Sequence, residues 1–288
     1  MDKKGVFEVR SGDRVATAYN GDCVAGMDAH LKPGSVDVVV TSPPYNLGTR
    51  YTRYDDSISR QDYLTWTQTW GQAVHRALAE GGSLFLNIGG KPSDPWGPFE
   101  ALFALREHFV LQNVIHWIKS IAIQKEDVGR YPGITDNVSV GHYKPINSPR
   151  YLNDAHEYIF HLTKGGSVPL DRLAIGVEYQ DKSNVARWGL GKADRRCRGN
   201  TWFVPYKTIQ RRDRDRPHPA VFPVKIPRMC IQLHGLERTR KVLDPFLGLG
   251  HTGLACAELD VDFVGFEIDT DYYGQACQAL EEAGAEEE

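Results

Sequence analysis

The sequence predicts an α/β protein built on an open, mostly parallel sheet. Three observations predict this class: apolar runs of strand length recur along the chain, a segment with helical periodicity joins the first two runs, and strand and helix alternate again near the C-terminal end. With 288 residues, the chain is long enough for one large domain with an insertion, or for two modest domains.

The predicted strands are short apolar runs, several of them rich in β-branched side chains, which favour extended backbone. They are residues 36–40, 83–88, 114–118, 158–162, 241–243 and 263–266. Runs of this kind are typical of strands buried on both faces. We therefore interpret all six as buried parallel strands.

An amphipathic helix is predicted between the first two strands. Its apolar residues recur mostly at three- and four-residue spacing: Tyr63, Trp66, Trp70, Val74, Ala77 and Leu78. The pair Gly81-Gly82 is predicted to end this helix, as glycine often does. Two more helices are predicted at residues 252–258 and 272–280, followed by a frayed acidic tail at residues 281–288.

Composition excludes several classes of protein. The five cysteines form no C-x-x-C pair, and no histidine cluster has zinc-ligand spacing, so neither a disulfide framework nor a metal site is indicated. No stretch approaches the roughly 18 apolar residues of a membrane span, and the first residues lack the apolar run of a signal peptide. We expect a protein of the reducing cytoplasm, without a metal and without a membrane anchor.

A glycine loop near the C-terminal end has the features of a ligand site. Residues 241–253 read K-V-L-D-P-F-L-G-L-G-H-T-G, a short strand that runs into a glycine turn and a helix. The glycines fit a dinucleotide pattern, but Asp244 would repel a pyrophosphate, and too little chain follows to complete a dinucleotide-binding sheet. A ligand with a ribose and a positive charge suits Asp244 and Glu267 better, and S-adenosylmethionine is such a molecule. An ordinary glycine-rich helix start remains the alternative, and if the loop does bind this ligand the other strands must come from upstream.

A second candidate site follows the first predicted strand, where the chain reads Thr41-Ser42-Pro43-Pro44-Tyr45. Active sites of open α/β sheets lie at the carboxyl ends of strands. The prolines supply no amide donors and stiffen the backbone, so we expect free, fixed carbonyl acceptors beside an aromatic ring. Such a site suits an exocyclic amine, whose hydrogens the Ser42 side chain and the Pro43 carbonyl would accept while Tyr45 stacks on a base flipped out of the duplex. The alternative is a proline-stiffened loop with a packed tyrosine.

Together, T-S-P-P-Y near the start and D-P-F-L-G-L-G near the end resemble the motifs of amino-methyltransferases from bacterial restriction and modification systems. The order, with the catalytic motif before the cofactor motif, resembles the β group of that family. The resemblance implies a Rossmann-like S-adenosylmethionine-dependent methyltransferase fold with circularly permuted motif order and an inserted target-recognition region. It also implies double-stranded DNA as substrate, and it leaves open a homodimer and a companion restriction endonuclease.

The resemblance also assigns residues to the cofactor. Asp22 would lie at the adenosyl end, His218 and the helix start after it at the methionine end, and Glu267 at the ribose hydroxyls. The full expected set is Asp22, Thr41, His218, Asp244, Phe246, Gly248, Gly250, Thr252 and Glu267. Leu249 and His251 depart from the family pattern, which has small or hydroxyl residues there.

Four regions are predicted from these motifs. Residues 1–120 would form the catalytic half, 121–216 a target-recognition insertion with an embedded sheet strand near 157–163, 217–280 the cofactor-binding half, and 281–288 the acidic tail. The net charge of the whole chain is −3, yet ten Lys or Arg face three Asp at residues 187–216, a local excess of +7. The arginines expected to contact DNA are Arg195, Arg196, Arg198, Arg211, Arg212 and Arg214. A solvated charged loop is the alternative.

The residue before Pro-Pro bears on the target base. In the family that the motifs resemble, serine at this position is commoner in enzymes that act on cytosine N4, so Ser42 favours cytosine over adenine N6. A cytosine-C5 enzyme is disfavoured because it needs a cysteine nucleophile, usually in a Pro-Cys pair, and the sequence has no such pair. Adenine-N6 methylation, RNA methylation and a DNA-binding module without enzymatic activity remain as alternatives.

Overall fold

The computed structural model describes residues 5–49, 56–131, 133–141, 147–183, 194–205 and 221–285. The strands are β1 (Val6–Ser11), β2 (Arg14–Asn20), β3 (Val36–Thr41), β4 (Leu78–Ile88), β5 (Val110–Ile118), β6 (Ile121–Ile123), β7 (Val138–Val140), β8 (His156–Thr163), β9 (Thr201–Phe203), β10 (Lys241–Asp244) and β11 (Asp262–Glu267). The helices are α1 (Cys23–His30), α2 (Arg60–Ala77), α3 (Gly97–Ala104), α4 (Lys125–Val128), α5 (Lys225–His234), α6 (His251–Glu258) and α7 (Thr270–Ala285).

A large sheet has the strand order β1-β2-β11-β10-β3-β4-β8-β5-β9. The run β2-β11-β10-β3-β4 is parallel throughout. Strand β10 lies between β3 and β11, so the end of the chain completes a sheet that its beginning starts, as the motif order predicts. The predicted α/β class with a permuted order is therefore confirmed.

The prediction that residues 158–162 form a parallel strand is wrong in direction. Strand β8 is antiparallel to both of its neighbours, β4 and β5. From Ile159 onward its residues are buried, because β4 and β5 flank the strand and side chains cover both faces of the sheet. Its apolar run therefore resembles that of a parallel strand. The β1–β2 hairpin at the opposite edge and the short edge strand β9 are further strands that the apolar runs did not predict.

Helix α2 ends earlier than predicted, because Leu78 already begins β4. The glycine pair lies inside that strand and does not cap the helix. A Cβ on Gly82 would lie 2.8 Å from the Asp37 carbonyl oxygen, so this glycine permits the close approach of β4 to β3. The N-terminal end of α2 is capped by Ser59, whose hydroxyl accepts the Asp62 amide at 3.1 Å.

The sheet is covered on both faces, and each face has its own apolar core. Val38, Val40 and Phe85 pack with α5 and α6 on one face. Val39 and Leu84 pack with α1 and α2 on the other. Side chains of β3 thus alternate between the two cores, which fixes the register of this central strand.

Within one core, three polar side chains form a buried network. His161 Nε2 and His234 Nδ1 each lie 2.9 Å from Ser83 Oγ. Burial lowers the pKa of His161 to about 3 and that of His234 to about 4. Both side chains are therefore neutral core residues at physiological pH.

The predicted frayed tail is partly wrong, since α7 continues to Ala285. Leu280 and Gly284 are buried, and a Cβ on Gly284 would lie 3.1 Å from the Val9 side chain of β1. Packing on the β1–β2 hairpin therefore keeps the first acidic residues of the tail helical.

The predicted insertion shares the large sheet, because it contributes β8 and β9 to it, while β6 and β7 pair in a small sheet of their own. Across the described ranges, no helix is both long and apolar enough to cross a membrane.

Candidate active site

The loops after β2, β3, β10 and β11 meet at one edge of the sheet, because parallel strands end on the same side. They surround a cavity that also receives one side chain from α2 and two residues before α5. Its lining is Gly21, Asp22, Cys23, Ser42, Pro44, Trp66, Val221, Phe222, Pro245, Phe246, Gly248, Leu249, Phe266, Glu267, Ile268, Asp269 and Tyr272. The two sequence motifs, which begin 203 positions apart at Thr41 and Asp244, therefore share one cavity.

The glycine loop adopts the backbone that its sequence predicts. Gly248 and Gly250 have φ of +53° and +82°, conformations that favour glycine, and Gly250 directly precedes α6. The Gly248 amide donates to Glu267 Oε2 at 2.8 Å, and the Asp269 amide donates to Oε1 at 2.9 Å. Burial raises the pKa of Glu267. The loop and the end of β11 are thus held together by one carboxylate at the cavity wall.

Asp244 does not line this cavity, contrary to the expectation that its charge faces the ligand. It is 1% exposed, and its carboxylate accepts the Thr41 hydroxyl at 2.7 Å and the Thr252 hydroxyl at 2.6 Å. Burial raises the pKa of Asp244 to about 7. These three residues tie β10, β3 and α6 together beneath the loop, so they support the site from below. Gly250 likewise shapes the loop without lining the cavity.

Asp269 is a cavity residue that the sequence did not reveal. Its Oδ1 accepts the Asp271 amide at 2.9 Å at the start of α7, whereas its buried Oδ2 has no hydrogen-bond partner among the described residues. A carboxylate just before a predicted helix is the signal that could have indicated it. Asp22 has a similar place at α1, where its side chain accepts the Ala25 amide at 2.9 Å.

An apolar wall faces these carboxylates. Phe246 lies against Trp66 and Trp70 of α2, with ring centroids 5.4 and 5.6 Å away. The imidazole of His251, one of the two departures from the family pattern, lies 2.6 Å from the Phe222 carbonyl through Nδ1. It thereby fixes Phe222 at the cavity. His218 lies outside the described residues.

The Thr41–Tyr45 loop carries a connected set of polar side chains. Ser42 Oγ lies 2.7 Å from Tyr45 Oη, and Tyr45 Oη lies 3.1 Å from Glu157 Oε2. Asn87 Nδ2 lies 2.7 Å from Tyr45 Oη and 2.7 Å from Glu157 Oε2. On the other side of the carboxylate, Lys119 Nζ lies 3.0 Å from Glu157 Oε1. Neither Asn87, near the C-terminal end of β4, nor Glu157, near the start of β8, is part of a recognisable motif, and both are far from the loop in sequence.

Not all proline carbonyls of the loop are free, in contrast to the expectation from sequence. The Tyr63 hydroxyl of α2 donates to the Pro44 carbonyl at 3.1 Å, and Pro43 is buried. After Tyr45, Asn46 has φ of +57°, which is uncommon for a residue with a side chain.

The backbone after the Thr41–Tyr45 loop is held by a buried carboxylate. Asp56 accepts the amides of Asn46, Leu47 and Thr49 at distances of 2.7, 3.1 and 2.9 Å. These bonds hold the left-handed turn after Tyr45.

The basic stretch is described only in part. Arg195 and Arg196 are exposed, and Arg198 donates to the Ile175 carbonyl at 2.9 Å. Arg195 and Arg198 line a cleft with Lys225 and Arg228 of α5, separate from the cavity between the two loops. Arg211, Arg212 and Arg214 lie outside the described residues.

Comparison with known proteins adds a family match. The model of the N6/N4 methyltransferase family, described as DNA methylase, matches residues 36–278. Type II methyltransferase M.ScaI of Streptomyces caespitosus is 30% identical over 275 residues, covering 91% of this chain and 80% of that protein. Type II methyltransferase M.SmaI of Serratia marcescens is 29% identical, covering 90% and 87%.

Solved structures show the same fold. The cytosine-N4-specific PvuII DNA methyltransferase has a TM-score of 0.62 at 17% identity and covers 94% of this chain and 92% of its own. The M1.HpyAVI complex with S-adenosylmethionine has a TM-score of 0.53 at 19% identity, with coverages of 92% and 100%.

Proposed function

This chain belongs to the N6/N4 family of DNA methylases, and from that premise we propose that it methylates the exocyclic N4 amine of cytosine in double-stranded DNA. Family membership confirms the predicted enzyme class, a DNA amino-methyltransferase of restriction-modification type, and its methyl donor, S-adenosylmethionine. The target base, the flipping of that base and the residue roles are the proposal.

The observation that carries it is the shared cavity. Ser42 and Pro44 of the catalytic loop line the same cavity as Gly248 and Glu267 of the cofactor loop. A methyl donor held by one loop would therefore meet an amine held by the other, which is the arrangement that direct transfer requires.

The cavity residues fit S-adenosylmethionine. Asp269 Oδ2 is a buried acceptor without a partner among the described residues, and a hydroxyl or amino group of the ligand would satisfy it. The carboxylates of Glu267 and Asp22 suit the ribose hydroxyls and the adenosyl end, and the rings at Phe246 suit apolar ligand surface. When bound, the donor supplies a methyl group on a sulfonium sulfur. We retain His218 as a proposed contact at the methionine end.

The catalytic loop would bind and orient the amine. The Ser42 hydroxyl and the Pro43 carbonyl would each accept one N–H, leaving the nitrogen lone pair directed towards the methyl group, while Tyr45 stacks on the base. Because a paired base cannot reach this loop, the target would be flipped out of the duplex. Ser42 before Pro-Pro, together with the cytosine-N4 specificity of the PvuII enzyme, favours cytosine N4 over adenine N6.

The proposed DNA contacts are the arginines of the basic stretch, Arg195, Arg196, Arg198, Arg211, Arg212 and Arg214. The local excess of +7 supports them, because Lys and Arg dominate phosphate contacts in protein–DNA complexes. We place target recognition in the insertion at residues 121–216.

The test is a transfer assay with labelled S-adenosylmethionine and duplex DNA, followed by identification of the methylated nucleoside. We expect N4-methylcytosine from the unmodified chain and none from a Ser42→Ala, Tyr45→Ala double variant. The control is Ser35→Ala, which removes a hydroxyl at the opposite end of β3. N6-methyladenine would overturn the choice of base, preferred labelling of RNA would overturn the substrate, and full activity of the double variant would overturn the catalytic loop.

A further inference from the structure

Glu157 is a charged side chain from the start of β8, and it reaches the catalytic tyrosine. Its side chain is 12% exposed, and that of its ion-pair partner Lys119 is 20% exposed. One carboxylate oxygen faces Lys119 and the other faces Tyr45 and Asn87. Burying such a pair costs desolvation that an apolar pair would avoid, so its place beside the catalytic loop calls for a functional reason.

The direction of each hydrogen bond follows from counting protons. A carboxylate ion paired to a lysine accepts only, so the Tyr45 hydroxyl must donate to Glu157. Asn87 must also turn its NH₂ group towards that carboxylate, and it donates its second hydrogen to the tyrosine oxygen. The single hydroxyl proton of Tyr45 is therefore engaged with Glu157.

The consequence falls on Ser42. Because the tyrosine proton points to Glu157, the 2.7 Å contact between Ser42 Oγ and Tyr45 Oη must be made by the serine proton. The serine proton is thereby turned away from the substrate, and its lone pairs remain available to accept an N–H. An unoriented serine hydroxyl could instead donate, which would withdraw the amine lone pair from the methyl group.

We propose that Glu157, acting through the Tyr45 hydroxyl, is a positioning residue that makes Ser42 a hydrogen-bond acceptor for the target amine. This proposal rests on the proposed function and adds to it a residue that neither sequence motif contains. Lys119 contacts one carboxylate oxygen and so fixes which of the two faces the tyrosine.

The replacement Glu157→Gln tests the proposal sharply. Lys119 donates, so the amide oxygen of glutamine would face Lys119 and its NH₂ group would face Tyr45. The glutamine NH₂ group would oppose the NH₂ group of Asn87, so the replacement is compared in an Asn87→Ala background, which removes that donor and the amide oxygen that a flipped Asn87 would offer to the tyrosine. In that background the tyrosine would accept from glutamine and donate to Ser42, and the serine proton would point at the substrate. We expect the rate of methyl transfer in a single turnover to fall about 100-fold, as for loss of one preorganised catalytic hydrogen bond. Binding of S-adenosylmethionine and of DNA should stay within about twofold.

A rescue distinguishes this role from a structural one. Tyr45→Phe removes the misdirecting hydroxyl, so in the same background the Glu157→Gln, Tyr45→Phe double variant should be about tenfold faster than Glu157→Gln alone and equal to Tyr45→Phe. The matched control is Glu107→Gln, which replaces an exposed carboxylate just before the N-terminal end of β5. Losses that multiply in the double variant, or a Glu157→Gln enzyme within about threefold of the Asn87→Ala rate, would overturn the proposal.

A readout independent of activity separates this proposal from the proposed function. In a neutron structure of the deuterium-exchanged protein, we expect one deuteron on Tyr45 Oη directed to Glu157 and one on Ser42 Oγ directed to Tyr45. A deuteron on Tyr45 directed to Ser42 would refute the orientation. Absence of methyl transfer to DNA by the unmodified chain would instead refute the function, and with it the role given to Ser42.

Discussion

Mild acid should destabilise this protein through the buried pair His161 and His234. Both imidazoles contact Ser83 Oγ, and burial holds their pKa near 3 and near 4, below the ordinary value of 6.5. Below about pH 6.5 the unfolded chain takes up protons that the native state cannot accept, so the free energy of unfolding falls as the pH falls.

The magnitude follows from these pKa values. Between about pH 7 and pH 5, each histidine should remove about 2 kcal/mol, so the pair together removes about 4 kcal/mol. That is a large part of the roughly 5–15 kcal/mol by which domains are stable. Because the two rings share Ser83, they should titrate as one coupled pair.

The assay is urea-induced unfolding, followed by tryptophan fluorescence at both pH values. A His161→Gln, His234→Gln variant should be less stable at neutral pH. On acidification from pH 7 to pH 5, however, its free energy of unfolding should fall by about 4 kcal/mol less than that of the unmodified chain. His30→Gln, at an exposed position, should retain the full pH dependence. Equal acid losses in the unmodified chain and the double variant would show that these imidazoles do not carry the effect.

Three further predictions concern the site and the DNA surface. Asp56→Asn removes the charge that holds three loop amides, so single-turnover methylation should slow about tenfold while calorimetric binding of S-adenosylmethionine is retained; a weaker affinity for the cofactor would contradict it. Gly250→Ala places a side chain at φ of +82°, 3.3 Å from the Ala276 Cβ. It should lower the free energy of chemical unfolding by about 1–3 kcal/mol and weaken cofactor binding. Gly274→Ala on α7, where an added Cβ meets open space, should not destabilise the protein. Replacing Arg195 and Arg198 by Ala should reduce the slope of log affinity for duplex DNA against log salt by about 2 if both contact phosphates, and an unchanged slope would remove them from the interface.

The two loops could be predicted from sequence because their chemistry is local. Ser42, Tyr45 and the glycines around Gly248 act within a few consecutive residues, and proline and glycine impose their backbone wherever they stand. The cavity that joins them follows from strand order, because parallel strands end at the same edge of the sheet. Local chemistry was therefore enough for the cofactor class.

The remaining features depend on contacts between distant strands. Glu157 and Asn87 come to Tyr45 from separate strands, and nothing in their neighbours distinguishes them from other polar residues. From the sequence, the Asp244 carboxylate was expected to face the ligand. The two threonine hydroxyls that bind it away from the cavity approach it only in the folded chain. Likewise, Gly82 was predicted to end a helix. The real reason for this glycine is the close approach of β3, which the residues around Gly82 do not reveal.

The position of β10 between β3 and β11 has a consequence for synthesis of the protein. The Thr41–Asp244 contact joins residues 203 positions apart, so the centre of the sheet cannot assemble on the ribosome until β10 has been translated. A nascent chain that already carries the catalytic loop still lacks the strand that supports it and the loop that faces it. Methylating activity should therefore arise only after β10 and the glycine loop have been translated, and products terminated before β10 should be inert, with exposed strand edges open to proteolysis.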